Sequence, residues 1–297
     1  MPELPEVETV RRGLQQVTLR QTILGGDVLL DRTIAHPVSS LDFLTGLKES
    51  AIAHWQRRGK YLLAELQRSV SSTQTSSQAN SGQPEKPAGW LGVHLRMTGQ
   101  LLWVDPKEPL QKHTRVRLFF AGDRELRFVD QRTFGHMWWV PPGQQPERII
   151  TGLQTLGPEP FSAEFSAEYL AQQLQKRRRP IKNALLDQTL VAGVGNIYAD
   201  EALFLSQIHP QTLCTNLTPD QIARLRQFVI QVLETSIEAG GTTFSNFLSV
   251  QGVNGNYGRA AWVYNRTGAG CRVCDRPIER LKLAGRSAHF CPQCQPR

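Results

Sequence analysis

The sequence lacks any apolar stretch long enough to cross a lipid bilayer. No run of 18 apolar residues occurs in its 297 residues, and no apolar segment of the secretory type lies near its N-terminus. A membrane-spanning helix needs about 20 consecutive apolar residues, and a secretory leader needs an apolar core behind a basic start. We therefore expect neither membrane insertion nor secretion, and we place the protein in the cytoplasm.

Cysteine is scarce, with five residues in the chain. Four of the five form two C-x-x-C pairs, and Cys214 stands alone. Small disulfide-stapled proteins are dense in cysteine, whereas paired C-x-x-C spacing in a reducing compartment is typical of a metal site. We therefore expect no disulfide framework, and we expect Cys214 to be an inert thiol buried in a core.

Acidic residues are too few to balance the basic ones. The 34 Lys and Arg residues against 26 Asp and Glu give a formal net charge of +8. Residues 266–297 contribute +5 of this charge, from seven basic and two acidic side chains, and further basic clusters lie at 57–60 and 176–182. One such cluster is commonly a solvated face, but three of them on a basic chain favour a nucleic-acid partner.

Hydrophobic periodicity divides the chain into three parts. Residues 3–16 have helical spacing, and short apolar runs between about 22 and 140, separated by Gly, Pro and Asp, predict a β-sandwich or barrel. From about 160 the spacing becomes helical again, and after 250 a Gly- and Asn-rich loop leads to the cysteine pairs. The predicted strands lie at 22–24, 61–63, 91–95, 116–120 and 137–140, and the predicted helices at 163–175, 181–188, 196–206 and 219–239.

We therefore predict an α+β multidomain protein, because the chain is long enough for more than one core. An N-terminal β-domain covers residues 1–150, a helical domain covers 151–249, and a small C-terminal module covers 250–297. Residues 69–87 are rich in Ser, Gln and Pro and almost without large apolar side chains. Such a segment cannot bury enough apolar surface to fold, so we expect a disordered surface insertion between two strands.

The two C-x-x-C pairs are separated by sixteen residues, which is typical of a four-cysteine zinc site. Each pair places two thiolates on one tight turn, and two turns complete a tetrahedral site without an open position. The single zinc ion would be structural, replacing a core that so short a segment cannot form. A redox role for either pair would make the paired spacing coincidental. The predicted ligands are Cys271, Cys274, Cys291 and Cys294.

Two segments of the C-terminal half suggest phosphate contacts. Between the cysteine pairs, Arg280, Lys282 and Arg286 lie on a predicted β-hairpin, where they either solubilise the surface or face a phosphate backbone; we favour the second. Two glycines precede Asn196, a suitable N-cap, and the N–H groups at such a helix start suit a phosphate. The glycines are also compatible with tight packing between helices, but the nearby Lys182 favours phosphate binding.

The N-terminal sequence places a proline and an acid directly after Met1. If Met1 is removed, Pro2 becomes a secondary amine; an α-amino group has a pKa of roughly 7.7–8, so part of it is uncharged near neutrality. Such an amine attacks an electrophilic carbon to form a Schiff base, and Glu3 can supply the required proton. The alternative is an ordinary helix start at which Glu3 favours the helix N-terminus.

Six motifs occur in one order along the chain. They are MPELPEVETVRRGL at 1–14, RRGKYLL at 57–63, HLRMTGQL at 94–101, DQRTFG at 130–135, VAGVGNIYADEALF at 191–204 and GRSAHFCPQCQ at 285–295. Together they closely resemble the formamidopyrimidine-DNA glycosylase family, bacterial enzymes that excise oxidised purines. The resemblance implies an N-terminal β-sandwich with an N-terminal helix, a helix–two-turns–helix domain and a C-terminal β-hairpin zinc finger. DNA would lie in the cleft between the domains.

The resemblance implies three catalytic residues. Pro2 would be the nucleophile that attacks C1′ of the damaged nucleotide, and Glu3 would be the proton donor that assists opening of the sugar. Lys60 would reach the active site and the phosphates beside the lesion. This chemistry needs neither a redox cofactor nor a catalytic metal.

The resemblance also implies DNA contacts. Met97, Arg132 and Phe134, which we call the wedge residues, would fill the gap left by the extruded base, since an apolar wedge restores part of the lost stacking. Arg132 would bond the orphaned cytosine, whereas Met97 and Phe134 could instead be core residues at strand ends. The residues implied to bind phosphate are Asn196, Tyr264 and Arg286, with Lys182 near the lesion and the loop 250–259 as a lid over the purine.

Two residues beside the wedge residues depart from the family pattern. Arg96 stands where the family more often has glycine, and it either adds a DNA contact or faces solvent. Thr133 stands where a second basic residue commonly follows the arginine. We therefore expect one phosphate contact to be weaker in this chain.

The resemblance implies a monomeric, nucleoid-associated enzyme that is both a DNA glycosylase and an abasic-site lyase. It would remove 8-oxoguanine or formamidopyrimidines from double-stranded DNA through a Pro2 Schiff base, act on abasic sites, and cleave the strand by β,δ-elimination. The nearest alternative is endonuclease VIII, the related enzyme for oxidised pyrimidines, although Leu4 and the long loop 250–259 favour the purine enzyme. A non-catalytic zinc-ribbon DNA-binding protein also fits the charge and the zinc, but has no use for a Pro-Glu terminus.

Overall fold

The computed structural model describes residues 1–69, 85–242, 249–250, 252 and 255–297. The chain forms two compact units. The N-terminal unit contains Met1–Pro2, Val7–Gln154 and the described residues Ser249, Val250 and Gly252. The C-terminal unit contains Glu3–Glu6, residues 155–242 and Gly255–Arg297. No helix in the described ranges is both long enough and apolar enough to cross a membrane.

Two β-sheets form the N-terminal unit, in agreement with the short apolar runs of the sequence. The strands are β1 (Ile23–Val28), β2 (Ile34–His36), β3 (Ala51–Arg58), β4 (Tyr61–Ser69), β5 (Glu85–His94), β6 (Gly99–Val104), β7 (Thr114–Phe120), β8 (Arg124–Asp130) and β9 (His136–Val140). One sheet has the order β2-β9-β5-β4-β3 and the other β1-β7-β8-β6. The described strand pairs are antiparallel except β2 with β9. The helices beside them are α1 (Leu4–Thr18), α2 (Ser40–Leu47) and α3 (Pro146–Ile149).

The two sheets and helix α1 share one hydrophobic core. Strand β7 alternates buried and half-buried residues, with Val116 and Phe120 turned inward, because successive side chains of a strand point to opposite faces. Helix α1 completely buries Val7, Val10 and Leu14, at the three- and four-residue spacing that predicts a helix. Replacing Leu14 by alanine would cost about 2–5 kcal/mol of stability, since a cavity would remain.

Strand β8 is an element that the apolar pattern does not predict. Its residues Glu125 and Arg127 are each 1% exposed and form an ion pair of 2.8 Å between Oε2 and Nε. Charged and apolar residues alternate from Glu125 to Phe128, which would normally place the charged side chains in solvent, but both faces of the strand are buried there. Strands β2, β3 and β6 and helix α2 are also absent from the sequence prediction.

The predicted disordered insertion at 69–87 is wrong at both ends. Ser69 pairs with Glu85, and Gln67 pairs with Pro87, in an extension of the β4–β5 ladder. Pairing between backbones does not require apolar side chains, so a polar composition does not exclude a strand. The remainder of that prediction, residues 70–84, lies outside the described residues.

Helices and a β-hairpin form the C-terminal unit. Its main elements are α4 (Ala167–Gln175), α5 (Ile181–Leu185), α6 (Asn196–Leu205), α7 (Pro219–Glu238), β10 (Glu279–Leu283) and β11 (Arg286–Phe290). Helix α7 begins with a capping box between Thr218 and Gln221, which satisfies N–H groups that lack partners within the helix. Helix α5 ends earlier than predicted, because the Asp187 carboxylate accepts the Thr189 N–H and turns the chain.

The structure confirms the predicted fold class and two local predictions. Cys214 is 2% exposed within the core of the C-terminal unit. The segment between the cysteine pairs is an antiparallel hairpin, with Ala284 and Gly285 at its tip at φ values of +46° and +80°. The boundaries of the three predicted domains remain predictions.

Candidate functional site

Glu3 is buried at the start of helix α6. Its Oε1 accepts a hydrogen bond from the Ile197 N–H at 3.0 Å, and its Oε2 accepts one from the Tyr198 N–H at 3.5 Å. The first N–H groups of a helix lack partners within it and form its positive end, so they stabilise a carboxylate. The prediction of Asn196 as the N-cap is therefore wrong: Gly195 is the N-cap, and Glu3 binds N–H groups that a capping side chain would bind.

Two glycines before α6 leave the space that Glu3 and Leu4 occupy. A Cβ atom on Gly195 would lie 2.2 Å from the Glu3 Cδ, and one on Gly193 would lie 2.6 Å from the Leu4 Cδ1. Gly193 also has a φ of +89°, which favours glycine, and its carbonyl accepts the Leu4 N–H at 3.1 Å. Close packing of the N-terminal residues therefore accounts for both glycines.

Glu6 is the centre of a buried hydrogen-bond network that was not predicted. Its Oε2 accepts the Glu3 N–H at 2.8 Å, and its Oε1 accepts the Tyr198 hydroxyl at 2.6 Å and the Thr242 N–H at 2.9 Å. Burial raises the pKa of Glu6, although these donors partly oppose the change. The network fixes the main chain at Glu3, and the only sequence signal for it is the place of Glu6 within PELPEVE.

Lys60 lies in the tight turn between β3 and β4, in the same compact unit as Pro2. Gly59 before it has a φ of +55°, and Lys60 itself is 7% exposed. Arg57 donates one hydrogen bond to the Gly59 carbonyl and another to the Glu8 carboxylate, both at 3.2 Å. Helix α1 therefore supports, through Glu8 and Arg57, the turn that contains Lys60.

His94 is a further candidate site residue, and it was not predicted. Burial, together with the charges of Arg96, Lys60 and His136, lowers the pKa of His94 to about 3. Its Nδ1 accepts the Arg96 N–H at 3.0 Å, so the ring supports the turn that leads to Met97. The imidazole is therefore neutral near pH 7, with a proton on Nε2. Its place in HLRMTGQL is the only signal that could have identified it.

The wedge residues lie on two loops of the N-terminal unit, and Asp130 joins these loops. The Asp130 carboxylate accepts hydrogen bonds from the Thr98 hydroxyl and from the Gly135 N–H, the latter at 2.8 Å. The Thr98 oxygen in turn accepts the Arg132 N–H at 2.9 Å. Asp130 is 1% exposed, and its role was not predicted. One buried carboxylate thus fixes both loops.

The exposure of the wedge residues favours contact with a partner over a place in the core. Phe134 is 49% exposed, and the Arg132 guanidinium lies 4.9 Å from the centre of its ring. Met97 is half-buried. Arg96 before it is exposed and has a φ of +52°, in the left-handed region that favours glycine. This backbone conformation is the physical reason why glycine suits position 96.

Three of the predicted phosphate-binding residues are neighbours within the C-terminal unit. Burial raises the pKa of the Tyr264 hydroxyl, whereas hydrogen bonding to the Asn196 side chain and the charge of Arg286 oppose this change, so both groups lie close to Tyr264. The Asn196 Oδ1 is buried without a hydrogen-bond partner among the described residues. Glu201 of α6 accepts the N–H groups of Val263 and Tyr264, each at 2.9 Å, and so fixes the loop that contains Tyr264.

Lys182 is placed differently from these residues. It is 1% exposed, and its Nζ donates to the Asp200 carboxylate at 2.6 Å and to the Ser287 carbonyl. Burial lowers the pKa of Lys182, although the Asp200 charge opposes this. The His289 N–H also donates to Asp200, at 3.0 Å, so the ion pair joins α5 and α6 to β11. This position favours a structural role for Lys182 and does not support the predicted DNA contact.

The predicted lid at 250–259 lies partly outside the described residues, which here are Val250, Gly252 and residues 255–259. The Val250 carbonyl accepts the Trp103 N–H at 3.0 Å within the N-terminal unit. Tyr257–Arg259 forms a 3₁₀ turn within the C-terminal unit. The role of the loop as a lid stays a prediction.

The four predicted zinc ligands form one cluster, with their sulfur atoms all within 4.8 Å of one another. The Sγ–Sγ distances include 3.9 Å for Cys271–Cys294, 3.4 Å for Cys274–Cys291 and 3.6 Å for Cys274–Cys294. A tetrahedron with zinc–sulfur bonds of about 2.3 Å has edges of about 3.8 Å. The donor set therefore fits one structural zinc ion without rearrangement.

Three family models match the chain in sequence order. The formamidopyrimidine-DNA glycosylase N-terminal domain matches residues 1–137, and the H2TH domain of the same family matches 156–247. A zinc finger found in FPG and IleRS matches residues 271–297. The last match covers all four clustered cysteines.

Relatives and solved structures agree with these matches over the full length. A formamidopyrimidine-DNA glycosylase of Nostoc sp. is 66% identical over 99% of this chain and 100% of its own, and that of Trichodesmium erythraeum is 62% identical with the same coverage. A Lactococcus lactis FPG mutant in complex with Fapy-dG containing DNA has a TM-score of 0.86 and 32% identity over 100% of both chains. MutM in complex with carbocyclic 8-oxo-G containing DNA has a TM-score of 0.85, also at 32% identity and full coverage. At this identity and coverage, the chain belongs to the formamidopyrimidine-DNA glycosylase family.

Proposed function

We propose that this protein removes oxidised purines from double-stranded DNA and cleaves the strand at the resulting abasic site. The observation that supports this most strongly is the Pro2–Glu3 terminus, whose carboxylate is buried and fixed at the start of α6. Relatives at 66% and 62% identity are named for a purine lesion, and solved relatives hold DNA with Fapy-dG or an abasic site. These names favour the purine enzyme over endonuclease VIII and over a non-catalytic zinc-ribbon protein.

The reaction begins at Pro2 after removal of Met1, because a proline nitrogen in a peptide bond is not nucleophilic. The free secondary amine attacks C1′, the glycosidic bond breaks, and the proton lost by the amine leaves with the base. Glu3 donates a proton to the ring oxygen of the sugar as the ring opens, which leaves an iminium between Pro2 and C1′. Loss of a C2′ proton then expels the 3′ phosphate, a second elimination expels the 5′ phosphate, and hydrolysis frees Pro2.

Lys60 and His94 support this chemistry from the N-terminal unit. The Lys60 ammonium stabilises the negative charge of the phosphates beside the lesion, which are the leaving groups of the elimination steps. His94 is neutral because its pKa is lowered to about 3, so it contributes a hydrogen bond rather than a charge. Its Nδ1 is occupied by the Arg96 N–H, which leaves Nε2 as the donor.

The proposed DNA-binding residues belong to both units: the wedge residues to the N-terminal unit and the phosphate-binding residues to the C-terminal unit. The wedge residues fill the space of the extruded nucleotide, and flipping costs a few kcal/mol that the wedge partly restores. Asn196, Tyr264 and Arg286 bind phosphates of the bent strand; the position of Arg286 beside the hairpin tip depends on the zinc finger. Zinc bound to the four cysteines stabilises that finger and supplies no chemistry to the reaction.

We further propose that the enzyme acts as a monomer, is associated with the nucleoid and has the three predicted domains.

Borohydride trapping on an 8-oxoguanine:cytosine duplex tests this function. Wild-type protein without Met1 should form a covalent adduct, and mass analysis of its N-terminal peptide should place the DNA on Pro2. Pro2→Gly, also without Met1, should lose much of the base excision. A thymine glycol duplex, assayed in parallel, tests the endonuclease VIII alternative. Faster excision of thymine glycol than of 8-oxoguanine would overturn the purine assignment. A zinc-loaded chain without Met1 that binds both duplexes but forms no adduct would be a DNA-binding protein.

A further inference from the structure

Arg32 lies beside the wedge residues although it is distant from them in sequence. It belongs to the short 3₁₀ turn Asp31–Thr33, and its Nη2 donates a hydrogen bond to the Thr133 hydroxyl at 2.6 Å. Thr133 lies between Arg132 and Phe134 in the chain. The contact therefore brings an additional guanidinium to the loop that contains two wedge residues, within the N-terminal unit.

The Arg32 charge is not neutralised within the described part of the chain. Arg32 is exposed and makes no ion pair among the described residues. The carboxylate of the adjacent Asp31 accepts the Ser40 hydroxyl at 2.7 Å. A guanidinium has five N–H donors, and the bond to Thr133 uses one of them. Up to four donors and a full positive charge therefore face solvent next to the wedge residues.

Thr133 adopts a backbone conformation that needs support. Its φ is +56°, which is an outlier for a β-branched residue and costs of order 1–3 kcal/mol. Such a conformation persists only where surrounding contacts determine it. On one side the Thr98–Asp130 hydrogen bonds hold the loop, and on the other Arg32 binds the Thr133 hydroxyl. The hydroxyl thereby restricts the orientation of the Arg32 side chain.

We propose that Arg32 binds a DNA phosphate next to the point where the wedge residues enter the duplex, and that Thr133 orients it. A guanidinium binds a phosphate through two parallel N–H bonds, which fixes the backbone more firmly than a point charge does. Arg32 thus supplies the positive charge that position 133 lacks, so the phosphate contact there is not weakened. This inference rests on the proposed DNA glycosylase function.

The salt dependence of DNA binding separates a phosphate contact from a structural role. Each phosphate neutralised by the protein contributes about −0.9 to the slope of log K against log salt concentration. Loss of the Arg32 contact should therefore make the slope shallower by about 0.9. Between about 50 and 200 mM salt, the affinity of the wild type should fall roughly 3.5-fold more than that of Arg32→Ala. A residue that only supports the loop would lower the affinity without changing this slope.

The experiment compares matched variants on a duplex with a tetrahydrofuran abasic analogue, which the enzyme binds without excision. Arg124→Ala is the control, because Arg124 is exposed on the same unit and its loss changes the net charge equally. Arg32→Ala should show the shallower slope, whereas Arg124→Ala and Arg32→Lys should keep the wild-type slope. Thr133→Val should weaken binding when Arg32 is present, but it should have no further effect in the Arg32→Ala background. Thermal unfolding of each variant shows that it is folded.

Two results would overturn the assignment of Arg32. An unchanged slope in Arg32→Ala would show that Arg32 only supports the loop. Equal changes of slope in Arg32→Ala and Arg124→Ala would show that net charge, and not a phosphate contact, accounts for the effect. The proposed function is judged separately on the wild type. If wild-type protein neither bound the abasic duplex nor excised 8-oxoguanine, the function would fail regardless of Arg32.

Discussion

Replacing Gly195 by alanine would displace Glu3 without straining the backbone at position 195. Gly195 has φ −133° and ψ −161°, an extended conformation open to alanine. The added Cβ would lie 2.2 Å from the Glu3 Cδ and 2.5 Å from its Oε1. Carbon atoms in contact need about 3.5 Å or more, so the carboxylate must retreat by more than about 1 Å. Misplacement of about 1 Å can cost roughly 100-fold in rate, or about 2.7 kcal/mol.

Single-turnover excision of 8-oxoguanine opposite cytosine measures this loss. Gly195→Ala should excise roughly 100-fold more slowly than the wild type, while its affinity for a tetrahydrofuran duplex is unchanged. In a Glu3→Ala background the same substitution should have no further effect, because there is no carboxylate to displace. Excision by Gly195→Ala at the wild-type rate would refute the conclusion that Glu3 acts from the start of α6.

Three further predictions concern the wedge loops, His94 and zinc. Asp130→Asn should slow excision from paired DNA by roughly 10- to 150-fold, because a hydrogen bond to a charged group is worth about 1.5–3 kcal/mol and each 1.36 kcal/mol is tenfold in rate. The same substitution should spare strand cleavage at a preformed abasic site, and equal losses on the two substrates would contradict the wedge role. His94 has its pKa lowered from 6.5 to about 3 on folding, so its contribution to stability is complete above pH 6.5 and is lost as the pH falls toward 3. Urea unfolding of His94→Asn should therefore depend less on pH between about 6.5 and 4 than that of the wild type, and an equally steep dependence would assign the effect to other groups. Removal of zinc by a chelator should abolish DNA binding, with recovery on adding zinc, and binding by verified zinc-free protein would exclude a structural requirement.

The sequence predicts best those elements whose pattern is local and apolar. Helix α7 is long and periodic, and its observed end at Glu238 lies one residue before the predicted end. Strand β8 was missed because charged and apolar residues alternate in it only from Glu125 to Phe128, a pattern too short to separate it from a loop. Nor can apolar periodicity show that the charged face is buried, because that burial depends on the ion pair between Glu125 and Arg127.

In the candidate site, too, residues with a local sequence pattern were predicted, whereas residues that depend on distant partners were missed. The zinc ligands were found because their spacing within each C-x-x-C pair is itself the signal. The N-cap of α6 was misassigned because its capping carboxylate comes from Glu3, 194 positions away in sequence. Glu6 likewise binds Thr242 across 236 positions, and only the folded chain brings the two together. Motif spacing thus identifies ligands that share a turn, but not acids whose partners are remote.

Helix α6 explains why these remote contacts concentrate in one part of the C-terminal unit. Its first N–H groups bind Glu3, and its residues Asp200 and Glu201 are completely buried. Asp200 bonds the β11 strand at His289, the strand that contains Arg286, whereas Glu201 bonds the loop that contains Tyr264. A short helix therefore positions the proton donor and the proposed phosphate-binding residues together. Substitutions at Asp200 and Glu201 should consequently be non-additive in DNA binding, because each displaces the helix on which the other contacts depend.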